Sequence, residues 1–174
     1  MKEEAGFTLI ELMVGITVLA LLLAVGVPSF TNLIRNNRLA TQTNEIVTAL
    51  NMARSEALKR GLPVSLCVSS DQASCDTGTP DWADGWIMFV DRGAPGEVDG
   101  TDELLQVGTP VSEGFSVTET EADEAFMQFL PSGLVSAVDD RRFQLEWAAE
   151  PEGHTRCVSV SVGGRINTVE GACP

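Results

Sequence analysis

Residues 7–27 read FTLIELMVGITVLALLLAVGV, 21 positions of which 13 are Phe, Leu, Ile or Val and one, Glu11, is charged. The length matches the ~20 residues a helix needs to cross a hydrocarbon core. Each of those apolar residues contributes ~0.3–0.6 kcal/mol to insertion, and together they exceed the ~3 kcal/mol cost of a central acid. Glu11 also lies near the start of the run, within reach of water. The pattern predicts a retained span, because the run is too long for a signal peptide and continues into further helix. Past Pro28, Leu39, Thr43, Ile46, Val47, Leu50, Ala53 and Ala57 recur at three- and four-residue steps, which is the signature of an amphipathic helix. Its other face carries Arg38, Gln42, Glu45, Arg54, Ser55 and Glu56, and Gly61 and Pro63 follow Lys59 and Arg60 as a stop. If the halves join, residues 7–60 make one helix of ~80 Å, with a kink or a locally unwound turn at Pro28.

From Pro63 onward the pattern changes to short apolar runs between Gly, Pro, Asp and Ser: PVSLCV, GWIMFV, ELLQVG, FSVTE, AFMQFLP, FQLEW and CVSVSV. These predict strands of an antiparallel sheet. In the last of them Val158, Val160 and Val162 share one face, opposite Ser159 and Ser161. One face needs a cover, and the helix over 38–60 is the amphipathic element available to supply it. The expected class is therefore α+β: a long N-terminal helix, membrane-spanning in its first half and amphipathic in its second, packed against an antiparallel sheet.

Charge sharpens this picture. The 174 residues carry a net −14, distributed as −2 over 1–27, +3 over 28–60 and −15 over 61–174. An acidic body repels phosphate backbones, which disfavours nucleic acid as a partner. With no tyrosine and one histidine, His154, the chain is poor in acid–base and metal-binding groups. No Ser/His/Asp or Cys/His set emerges, so neither an enzyme nor a cofactor is expected. Four cysteines, Cys67, Cys75, Cys157 and Cys173, do not follow zinc-knuckle spacing and are read as disulfides, with free or metal-bound thiols as the alternative. Disulfides place the body outside the cytoplasm. Of three possible pairings, the local one, Cys67–Cys75 with Cys157–Cys173, is favoured.

The stretch Gly6-Phe7-Thr8-Leu9-Ile10-Glu11 opening an apolar helix resembles the prepilin processing signature of type IV pilins and type II secretion pseudopilins. ALNMARSEALKRGLPVSLC, DWADGWIMFVD, FLPSGLV and CVSVSVGGR extend the resemblance to the FimT/FimU and GspH group of minor pilins and pseudopilins, over nearly the whole chain. The resemblance implies cleavage between Gly6 and Phe7 by a prepilin peptidase, N-methylation of Phe7, and a helix-breaking role for Pro28. It divides the chain into a leader (1–6), a transmembrane and assembly helix (7–27), its amphipathic continuation (28–60) and a β-rich body (61–174). The implied partners are other major and minor pilins in a helical filament, the prepilin peptidase/methyltransferase and an inner-membrane assembly platform. The implied location is the inner membrane, single-pass with a periplasmic body, and then a pilus or pseudopilus. The function expected is a minor pilin of a type IV pilus, in initiation or at the tip; a GspH-like pseudopilin is the alternative. A FimT-like DNA receptor is a third, weaker reading: in that branch the tail resembles Gly-Arg-x-Arg, whereas here Gly164-Arg165-Ile166-Asn167 keeps Arg165 as a weak contact and places Asn167 at the second arginine. The leader departs from the family in carrying Glu3 and Glu4.

Cleavage would create an amine on Phe7 four residues from Glu11, about one turn away. Among packed apolar helices an unpaired carboxylate is costly, so Glu11 is expected to pair with a neighbouring subunit's Phe7 amine and set register; the bland alternative is a solvated interfacial acid. Val14, Gly15, Val18, Leu22 and Val25 would face lipid first and neighbouring helices after extraction. Asp91, Glu97, Asp99, Asp102 and Glu103 are read as a solvated hairpin turn rather than a calcium loop, because their spacing fails the EF-hand pattern. Arg141 and Arg142 are read as a surface turn, and Trp82 and Trp86 as core.

Overall fold

The computed structural model describes residues 6–77, 81–111, 114–119, 126–147 and 155–174. A single helix, α1, spans Leu9–Arg60, and the chain divides into two compact units, 1–38 and 39–174.

In the first unit α1 starts with a reciprocal cap. The Thr8 amide and hydroxyl both donate to Glu11 Oε2 (2.9 Å each), and the Glu11 amide donates to Thr8 Oγ1 (3.3 Å). This is the Thr-x-x-Glu capping box, which satisfies orphan donors at a helix start. Every side chain from Phe7 to Val27 is exposed. Of the kink or locally unwound turn expected at Pro28, the unwound turn does not occur: helix continues through it. Proline removes one amide donor, and the ladder on either side carries the helix past that single gap.

In the second unit α1 buries Leu39, Thr43, Ile46, Ala49, Leu50, Ala53 and Ala57, a stripe at three- and four-residue steps. The buried Thr43 hydroxyl is satisfied by the Leu39 carbonyl (2.7 Å). The Gly61 amide closes the last turn on the Ala57 carbonyl (3.0 Å).

Among the described residues eight strands follow: β1 Val64–Val68, β2 Trp86–Val90, β3 Glu103–Gly108, β4 Phe115–Glu119, β5 Phe126–Phe129, β6 Arg141–Trp147, β7 Thr155–Val160 and β8 Ile166–Glu170, with a short 3-10 helix at Trp82–Asp84 before β2. They form two antiparallel sheets, β3-β2-β1-β5 and β4-β6-β7-β8, rather than one, and β8 adds a strand to the seven expected. One core unites the α1 stripe with Val64, Leu66, Met88 and Phe129 of the first sheet and Val117, Phe143, Leu145 and Val158 of the second. Strands β1 and β2 are buried on both faces. Cys67, Ile87 and Phe89 form a second cluster, against which Cys75 and Phe126 pack. Trp82 and Trp86 are buried, and Trp82 meets Phe143 edge-on at 5.1 Å.

Candidate functional site

Gly6 and Phe7 lie ahead of the first helical residue, and Phe7 is 91% exposed. Exposed backbone outside the helix is what a processing enzyme would need at the Gly6–Phe7 bond, the one expected to be cut. The Thr8 cap fixes the start of the helix, one residue beyond Phe7. Behind it stands the α1 segment long and apolar enough to cross a membrane, with none of its apolar run buried. The structure thus gives Glu11 a partner within its own chain, Thr8; the spacing of three residues between them was the sequence signal. Glu3 and Glu4 of the leader lie outside the described residues.

The body is fastened at three places. Disulfides join Cys67 to Cys75 and Cys157 to Cys173, with Cα separations of 5.5 and 5.0 Å. The first closes a loop built around Asp71, whose carboxylate accepts from the Ala73 and Ser74 amides (2.8 Å each) and from the hydroxyls of Ser74 (2.7 Å) and Ser69 (3.0 Å). Those donors, the Ser74 hydroxyl foremost, hold the Asp71 carboxyl far below its ordinary value. The second ties the C-terminus to β7, and the Cys173 amide donates to Gln144 Oε1 (3.3 Å).

The third fastening is Arg54, which the sequence reading placed on the solvent face of the helix. Its Nε donates to the Gly133 carbonyl (3.1 Å) and its Nη2 to the Gly163 carbonyl (3.2 Å). One side chain of α1 therefore links the β5–β6 and β7–β8 connections. Gly164 beside it has φ +74°, and a Cβ there would run into the Gly133 carbonyl oxygen and lie 2.8 Å from Arg54 Nε. ALNMARSEAL, FLPSGLV and CVSVSVGGR thus meet at one point. DWADGWIMFVD has a comparable logic. Asp81 accepts from the Ala83 amide (2.8 Å) and from the Val117 amide of β4 (3.0 Å), linking the two sheets. Gly85 has φ +112° and would place a Cβ 3.0 Å from the Gly108 carbonyl oxygen.

Two surface assignments are corrected. Asp91 is buried, and its Oδ2 accepts from Ser65 Oγ (2.6 Å), Gln128 Nε2 (2.9 Å) and the Gly96 amide (2.9 Å). Glu103 belongs to β3 and pairs with Arg60 (2.9 Å), while Asp99 and Asp102 brace the intervening turn by accepting its amides. Arg141 is likewise buried rather than in a surface turn: it opens β6, pairs with Glu119, and its Nη2 donates to the Phe126 carbonyl (3.0 Å). Among the described residues no three His, Cys, Asp or Glu gather as a metal site; His154 lies outside them. Arg165 is exposed, in the turn leading to β8, where its amide donates to Ser161 Oγ (3.1 Å). Asn167 is exposed in β8, opposite Ser159.

An N-terminal apolar helix whose second half packs on antiparallel sheets, preceded by Gly-Phe-Thr-Leu-Ile-Glu, defines a type IV pilin-like subunit. The family model described as type II transport protein GspH matches residues 42–164, and the prokaryotic N-terminal methylation motif matches residues 1–27. The chain belongs to the GspH family, within the group of minor pilins and pseudopilins. Members of this family are structural pilin and pseudopilin subunits. The fold is similar to that of the type IV minor pilin FimU of Pseudomonas aeruginosa PAO1, with a TM-score of 0.61 and 22% identity over 76% of this chain and 89% of that one. It is also similar to that of the minor pseudopilin EpsH of the Vibrio cholerae type 2 secretion system, with a TM-score of 0.54 and 12% identity over 76% of this chain and 97% of that one.

Proposed function

We propose that this chain is a minor pilin of a type IV pilus, made as a precursor with leader 1–6, cleaved between Gly6 and Phe7, N-methylated on Phe7, and built into the filament through the helix over 7–27. Residues 28–60 connect that helix to the β-rich body, 61–174, held outside the cytoplasm by a single inner-membrane span. The observation that carries this reading is the methylation motif placed directly before a fully exposed apolar helix, with Phe7 accessible ahead of the Thr8 cap. In the filament, Glu11 pairs with a neighbour's Phe7 amine. The partners are other pilins, the prepilin peptidase/methyltransferase and the assembly platform.

The likeness to FimU, at higher identity and TM-score than that to EpsH, supports the pilus over the secretion apparatus. The family description favours a second reading, a pseudopilin of a type II secretion system. Mass spectrometry of sheared surface filaments tests both: the pilus reading expects this chain there, beginning at methylated Phe7. A chain retaining Met1 refutes the processing. Loss of protein secretion without loss of pili in a deletion strain selects the second reading.

A further inference from the structure

We propose that a groove on the globular unit receives the Phe30–Arg38 stripe of a second copy of this chain, a contact that deepens the assembly reading above and rests on it. The groove encloses about 480 Å³ between the helix over residues 41–49 and β3, the outer strand of its sheet. The edges of the otherwise buried Trp82 and Trp86 and the half-buried Val111 give it an apolar wall beside the polar Thr41 and Gln106, and among the described residues Glu45 is the charged one in its lining. Its size suits a few side chains rather than a whole helix.

The proposed occupant has matching chemistry. Phe30, Leu33 and Ile34 are exposed at 63%, 54% and 38%, although they lie beyond residue 27, where the membrane-length run ends. Positions 30, 33, 34 and 38 fall on one helical face, so the stripe is apolar and ends in the cation Arg38. From residue 12 to residue 44 there is no Asp or Glu, whereas residues 61–174 carry −15. A second copy therefore offers a cationic, apolar helix face to an acidic body, which steers the approach and fixes its polarity. Docked as a helix on a groove, the stripe sets Phe30 and Ile34 against Trp82 and Trp86, and Arg38 beside Glu45.

The test uses the full chain in its own host, expressed as two differently tagged copies with a photo-crosslinking phenylalanine analogue at Phe30 or, as a control for packing of the apolar helix, at Val18. The expected result is a two-tag dimer from both probes, the Phe30 adduct mapping to peptides containing Trp82–Trp86 or Gln106–Val111. Glu45→Arg and Arg38→Glu should each lower the Phe30 adduct about fivefold, and the pair together should restore it. Both substitutions are on exposed positions, so loss of folding does not confound them. A dimer from Val18 with none from Phe30, an adduct elsewhere on the second copy, an adduct with a different protein, or no rescue overturns the groove contact and leaves helix packing standing. No dimer from either probe overturns this inference and self-association of the apolar helix together.

Discussion

Replacing Arg54 by Met tests whether one side chain fastens the helix to both loops of the body. Met keeps an unbranched apolar stem over the same surface and removes the guanidinium. Two hydrogen bonds are lost. The bond to the Gly133 carbonyl is partly buried and charge-assisted, contributing ~1.5–3 kcal/mol, while the solvent-facing bond to Gly163 adds ~0.5 kcal/mol. The expected destabilisation is ~2–3 kcal/mol. With a urea slope of ~2 kcal/mol per molar, the midpoint should fall by ~1 M with the slope unchanged. The assay is urea unfolding of a fragment starting near residue 32, with the disulfides kept oxidised. Gly164→Ala should cost at least as much, because φ +74° imposes ~1–2 kcal/mol on an L-residue and the new Cβ would collide with the Gly133 carbonyl oxygen as well as with Arg54. Since both changes break the same junction, the double variant should be less destabilised than the sum. A loss below ~0.5 kcal/mol for Arg54→Met, or strict additivity, would refute the fastening.

Free-thiol titration of the same fragment, folded and unreduced, should find no thiol, because all four cysteines are paired; four reactive thiols would also undo the compartment argument. Acid should weaken the Cys67–Cys75 loop through Asp71. Its native carboxyl is depressed, so its contribution is complete above the unfolded value of ~3.9 and is lost as pH falls below that; Asp71→Asn should flatten this part of the pH profile of stability. Glu11→Leu should leave membrane insertion intact and impair filament entry, read by membrane fractionation beside blots of sheared filaments. Glu11→Gln retains a capping side chain without the charge, so entry at wild-type level would show that pairing with the Phe7 amine is not required.

The helix and most strands were legible because burial follows local period. The α1 stripe repeats at 3.6 residues, and β6 alternates buried and partly buried positions over most of its length. Strand β8 escaped because Ile166–Glu170 is largely exposed and carries no alternation to read. The division into two sheets was hidden for a different reason. Periodicity identifies a strand without naming its partner, and β5 returns to β1 while β4 leaves to pair with β6. Asp91, Arg141 and Arg54 were misplaced in the same way: each is a charged residue whose burial or role is set by donors or acceptors distant in sequence, such as Gln128 for Asp91 and Gly133 for Arg54. Charge alone argued for the surface, and only the tertiary partners reverse it.

The processing segment shows why an acid can stand so near the start of an apolar helix. An isolated carboxylate within a span is expensive, but Glu11 occupies the third helical position. There the exposed amides and the positive end of the helix dipole favour a negative charge, and Thr8 supplies two donors to a single oxygen. The box uses Oε2 and leaves Oε1 out of the arrangement. A carboxylate offers about four acceptor sites, so capping within one chain and pairing with a neighbour's amine do not compete for the same lone pairs. In the proposed filament the acid therefore need not surrender its intramolecular bonds to gain an intermolecular one. The cap that ends the helix before Phe7 also leaves that residue's amine outside the helical ladder. Under the processing proposed above, one Thr-x-x-Glu spacing would thus serve both the precursor, whose bond to be cut must be accessible, and the mature subunit, whose new amine must be available to a partner.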